Sequence, residues 1–172
     1  MTMTKWTGGA VVALLAAGLM AGGAQAQAVS ATGDEEIRVE KAQALEAAAR
    51  EAAEVRAAFR EASRLYRQAA EIRGDQPEAA QSLMMAGALA YYVGSEGQAI
   101  KDLTRAGELA LAWGDVVTAA QAFLDASWVA AKEGRQNDAA ELGRRAERLS
   151  ASPLIQRQDR GAILNRIGDL LN

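Results

Sequence analysis

An all-α fold is predicted by three features of this sequence: a helix-forming composition, an unbroken stripe of residues at helical spacing over 34–73, and an internal repeat of forty residues beyond it. Half of the 172 residues are hydrophobic and 24% are charged, whereas aromatics make up only 5%. Abundant alanine, leucine, glutamate and arginine against few β-branched and aromatic residues favour helix over sheet. The chain has no histidine and no cysteine. Their lack removes the usual zinc, haem and iron–sulfur ligands, every cysteine-dependent mechanism and the Ser-His-Asp arrangement. The sequence also offers no G-x-S-x-G elbow and no phosphate-cradling glycine loop. The expectation is a protein that is not an enzyme, with no catalytic or metal site and no cofactor.

Residues 1–26 read as a secretory signal peptide. Lys5 precedes an apolar run from Ala10 to Met20, and Ala24-Gln25-Ala26 and Ala26-Gln27-Ala28 both satisfy an A-x-A cleavage pattern. The apolar run is shorter than the ~20 residues of a spanning helix. Cleavage after Ala26 or Ala28, with no stable membrane anchor left afterwards, predicts a periplasmic or secreted protein. Loss of Lys5 leaves 18 basic residues against 22 acidic ones, a balance that argues against nucleic acid as a partner. Without cysteine, disulfides cannot staple the fold in that compartment, so the core alone must hold it together.

Residues 27–33 read as a flexible leader. Thr32 and Glu35 then form a capping box that opens a helix, with Asp34, Glu35 and Glu36 placed where the helix dipole favours negative charge. From there to Arg73 no glycine or proline interrupts the chain. Leu45, Ala48, Ala52, Val55, Phe59, Ala62, Tyr66 and Ala69 recur at alternating spacings of three and four, a heptad seam. The seam packs either within the chain or against a second copy, through Leu45, Phe59 and Tyr66. A straight helix over 34–73 would span about 58 Å at 1.5 Å per residue and overhang a domain this small. Either it bends near Arg50 to Glu54 into a hairpin or its N-terminal half projects.

Residues 74–172 contain the repeat. Gly74-Asp75 recurs as Gly114-Asp115, and Ala80, Leu83, Ala86, Ala90, Gly94 and Ala99 align with Ala120, Phe123, Ala126, Ala130, Gly134 and Ala139. Each unit reads as a helix, a turn at Gly94 to Gly97 or Gly134 to Asn137, and a second helix. Ala62, Tyr66, Ala69 and Ile72 match the second-helix pattern, which adds a half-unit before the two full ones. Ser152-Pro153 begins a C-terminal capping helix, in which Leu164, Ile167 and Gly168 resemble Leu83, Ala86 and Gly87.

Within each unit, a small residue at Gly87 or Ser127, an alanine twelve positions on at Ala99 or Ala139, and another at Ala106 or Ala146 resemble the tetratricopeptide repeat. Leu83 and Leu103 extend the match, which runs from about Ala62 to Asn172. The unit is longer than the usual thirty-four residues, with the six extra residues lying between the second helix and the next first helix; a longer hairpin, with about one added turn split between two helices, accounts for the difference. Gly143 stands where that family prefers a large side chain, and its unit-ending proline is missing.

The resemblance implies a groove lined by first helices that holds a peptide or protein segment. On this chain its face would present Gln81, Met84, Ala88 and Tyr91 from one unit and Gln121, Leu124, Trp128 and Lys132 from the next. Tyrosine, tryptophan and methionine suit recognition because they bring large contact area with little rotamer entropy. Tyr91 and Trp128 are equally suited to filling space between oversized hairpins. Two functions of different kind follow: an exported helical-repeat adaptor for a protein or peptide, and a structural or oligomerising envelope protein acting through its coiled-coil-like N-terminal helix.

Overall fold

The computed structural model describes residues 33–153, all in helices and short turns. The expected signal peptide, the Thr32 cap and the C-terminal capping helix from residue 154 onward lie outside the described residues. The chain divides into two compact units, Met1–Arg38 and Val39–Asn172. Of the first, residues 33–38 are described; they are helical, with Arg38 paired to Glu35 at 3.4 Å. Residue 33, expected in the leader, is therefore already in helix.

Helix α1 covers residues 33–54. It is followed by α2 (Phe59–Arg73), α3 (Pro77–Tyr92), α4 (Glu96–Ala112), α5 (Val116–Lys132) and α6 (Gln136–Ser150). Each helix from α2 onward packs against the next in sequence. The described residues form a repeat-like bundle of consecutive helices, compatible with a helical-hairpin repeat.

The stripe over 34–73 is not one helix. The chain turns at 55–58, beyond the Arg50–Glu54 stretch where a bend was expected. Ala57 adopts φ 50°, and the Ala58 amide donates to the Ala52 carbonyl at 2.7 Å. Val55, a member of the expected seam, is consequently 77% exposed. Tyr66 is buried in a cluster with Ala49 of α1 and Ala86 of α3, so the seam is largely engaged inside the chain. With the turn in place, α1 from Val39 onward is the first helix of a hairpin with α2. The described residues hold three hairpins, α1/α2, α3/α4 and α5/α6, and not two and a half.

Three of the four turns that join α2 to α6 share one geometry. Gly94, Gly114 and Gly134 have φ of 72°, 76° and 72°. The amides of Ser95, Asp115 and Arg135 donate to the carbonyls of Ala90, Ala110 and Ala130 at 2.8, 2.9 and 2.9 Å, and each glycine amide donates three residues back at 3.0 Å. This is the Schellman stop, in which a left-handed residue lets the last carbonyls of a helix be satisfied, and glycine enters that region without steric cost. With Gly74, Gly94, Gly114 and Gly134 spaced by twenty residues, every linker from α2 to α6 is three residues long. The six extra residues of the repeat therefore lie in the helices, because a Schellman stop reverses the chain at once.

Hairpins cross closely where small residues meet. A Cβ on Gly87 would lie 3.2 Å from the Ala99 carbonyl oxygen. At the matching place Ser127 keeps its side chain, and its hydroxyl donates to the Ala139 carbonyl at 2.8 Å. The core between layers is filled by Leu83, Leu103, Phe123 and Leu124, each no more than 2% exposed. Phe123 of α5 lies between Gly107 of α4, whose missing Cβ would sit 2.7 Å from its ring, and the Arg145 guanidinium of α6, 4.1 Å from its centroid.

Candidate peptide-binding face

The first helices of the hairpins run side by side and leave two neighbouring clefts, one on each flank of α3. Between α3 and α5 lies a cleft of about 450 Å³ lined by Gln81, Met84, Met85, Asp115, Thr118 and Gln121 among others. Between α1 and α3 lies a smaller one of about 270 Å³, with Glu46, Arg50, Glu54, Arg73, Glu78 and Met85 on its walls. Pro77 starts α3 at a position where a missing amide is harmless, and Asp115 caps α5 by accepting from the Thr118 amide at 3.0 Å. Both caps lie at the mouth of the larger cleft and fix the starts of the two helices that form it.

Farther along the same helices, Tyr91 of α3 meets Trp128 of α5 edge-on, with ring centroids 4.9 Å apart. The Lys132 ammonium lies over the Trp128 ring at 5.6 Å, within cation–π reach. Trp128 remains 37% exposed, while Tyr91 is half-buried against the core. The aromatic edge contact holds Trp128 in one orientation while leaving part of its surface open. That arrangement suits an anchor for an incoming apolar side chain.

Six of the seven residues expected at the groove are thus on the α3/α5 face. Gln81, Met84 and Gln121 line its cleft, and Tyr91, Trp128 and Lys132 form its aromatic end. Leu124 is different: at 1% exposure it belongs to the core. On α5 the stripe Thr118, Gln121, Trp128 and Lys132 faces the groove, and Leu124 turns under it. Ala88 is exposed on α3. Met85, 44% exposed, and Thr118 were missed, although both follow from extending the helical stripe by one or three residues. The contribution of α1 was missed because that segment reads as a seam when its turn is invisible.

One charged cluster anchors the smaller cleft. Glu46 of α1 accepts from Arg73 Nε and Nη2 of α2 at 2.8 and 2.9 Å and from the Ser82 hydroxyl of α3 at 2.6 Å. Burial pushes the Glu46 carboxyl up, but the hydrogen bonds from Arg73 and Ser82 outweigh it and hold it below the ordinary value. The bond from Glu46 in turn raises Arg73, against the effect of burial. This triad ties three helices together, with both carboxylate oxygens of Glu46 engaged by Arg73 and one of them also by Ser82.

Among the described residues no group of three or more potential ligands is placed to hold a metal ion, and no helix is long and apolar enough to cross a membrane. The chain matches no protein-family model, no curated protein and no solved structure.

Proposed function

We propose that this protein is an exported, non-enzymatic helical-repeat adaptor of tetratricopeptide-like type, which holds a peptide or protein segment along the face of α1, α3 and α5. The observation that carries the reading is the Tyr91–Trp128 pair. It ties two successive first helices together at the groove and leaves Trp128 partly open beside a cleft lined by Met84 and Met85. Methionines adapt to varied side chains, whereas the fixed tryptophan supplies a rigid anchor. Gln81, Thr118 and Gln121 offer donors and acceptors suited to an extended backbone. Export rests on the N-terminal sequence pattern.

A role through pairing of two copies finds less support, because Tyr66 is buried within the chain and Phe59 lies edge-on against Tyr92 at a centroid distance of 4.9 Å.

Selection from a random peptide library tests the adaptor reading, with Trp128 fluorescence read in a Trp6→Phe/Trp113→Phe background, which leaves Trp128 as the sole tryptophan. Selected peptides should shift that emission and lose affinity for the Tyr91→Ala/Trp128→Ala variant. Peptides that bind this folded variant as tightly as the parent would overturn the proposal.

A further inference from the structure

A third concavity lies elsewhere, at the start of α2 where it meets the turn between α3 and α4. It is an open cleft of about 840 Å³ and shares no lining residue with the two clefts beside α3. That volume falls in the usual range of small-molecule sites, roughly 300–1,000 Å³. Its apolar lining comes from Phe59, Ala90 and Val93, together with Ala57 and Ala58 of the preceding turn.

The charge on its walls is one-sided. Arg60, Arg64 and Arg67 recur at helical spacing on α2 and all reach the cleft. Arg67 is spent, since its guanidinium grips Asp102 of α4 through Nε and Nη2 at 3.1 and 2.8 Å. Glu61, the one carboxylate on the lining, is taken by Arg56 at 3.2 Å. Arg60 and Arg64 make no hydrogen bond or ion pair among the described residues. Two guanidiniums without a carboxylate to meet them therefore stand above an apolar floor.

We propose that this cleft binds a small carboxylate with an apolar body. Its head would pair with Arg60 and Arg64, whose planar forks suit a carboxylate, and its body would cover Phe59, Ala90 and Val93. The pairing of Arg67 with Asp102 holds α2 and α4 at fixed separation and so shapes the cleft without consuming its free charge.

Calorimetric titration of the full chain with monomeric dodecanoate tests this, with acetate and dodecyltrimethylammonium as matched probes lacking the tail or reversing the charge. Saturable one-to-one binding of dodecanoate is expected, weakened about tenfold or more in Arg60→Gln/Arg64→Gln, since charge-assisted hydrogen bonds are lost. Arg105→Gln/Arg148→Gln, the same loss of two charges outside the cleft, should leave affinity unchanged. The proposal is overturned by any of four results: no saturable binding, equal binding of the cationic analogue, equal binding of acetate, or equal weakening by Arg105→Gln/Arg148→Gln. Peptide selection at the other face reads a separate site, so failure of one proposal leaves the other standing.

Discussion

The Cβ that Gly87 lacks would lie 2.7 Å from Cγ of Leu103, the branch point of a side chain that is itself buried. In the next hairpin the sizes are exchanged: Ser127 carries the side chain and Gly143, at the place of Leu103, carries none. Each crossing is thus filled once, from one helix or from the other. The glycine at 143, odd for the resembled family, complements the serine facing it.

This exchange predicts opposite outcomes for two similar substitutions. Gly87→Ala gains up to about 1 kcal/mol of helix propensity but forces Leu103 to move, and overpacking costs about 1–3 kcal/mol, so the net effect is a loss of stability. Gly143→Ala meets only Ser127 Oγ, at 3.3 Å, and should be neutral or stabilising. Chemical denaturation of the two variants measures the contrast; equal effects would show that the crossings are not arranged this way.

Ala57→Gly should stabilise the protein. Ala57 holds φ 50° in the turn that ends α1, and a left-handed non-glycine residue costs about 1–2 kcal/mol. Glycine relieves that strain but gives the unfolded chain about 0.4–1 kcal/mol of extra freedom. A net gain of roughly 0.5 kcal/mol should appear as a small rise in Tm. A fall in Tm would mean that the chain does not turn here.

Stability should depend on pH through Glu46. Its folded value is depressed below the ordinary 4.5, so the folded state binds this proton less readily than the unfolded state does. The stabilisation is fully present above the ordinary value and is lost as pH falls through the depressed one. Glu46→Gln should lower stability near neutrality and flatten the acid side of the stability profile. Breaking the cluster should cost about 2 kcal/mol, less than a fully buried pair, because Glu46 is partly exposed. Parallel acid profiles for variant and parent would show that the triad does not form.

Replacing Tyr91 and Trp128 together separates anchor from filler. Trp128 is 37% exposed and Tyr91 is only partly buried at the edge of the core, so the double alanine variant should retain its helicity and lose less than the roughly 3–5 kcal/mol of a fully buried aromatic. Circular dichroism and thermal melting give the answer. Global unfolding at ambient temperature would show that the pair is core.

The helical class, the placement of α3 to α6 and most of the groove stripe were legible in the sequence, because each depends on spacing along one helix. Alanines at 80, 90, 120 and 130 mark the buried face by period alone, and Gly94, Gly114 and Gly134 mark the stops by the conformation that only glycine adopts cheaply. The turn at 55–58 carries no such mark. It is made by Ala57, a strong helix former in a left-handed conformation, and contacts far apart in sequence, burial of Tyr66 with Ala49 and Ala86 and the pairing of Glu46 with Arg73, favour folding back.

The same limit separates Leu124 from Trp128. Four residues apart on α5, both are large and apolar and both fall on the stripe read from the sequence. Spacing cannot say how far round the helix the neighbouring layers reach. With α5 in contact with α4 on one side and α6 on the other, the covered arc includes Leu124 and stops short of Trp128. Local periodicity determined which helices form and which way they face. The angle at which layers stack decided which residues are core, which are groove, and that Arg60 and Arg64 stand together above an apolar cleft.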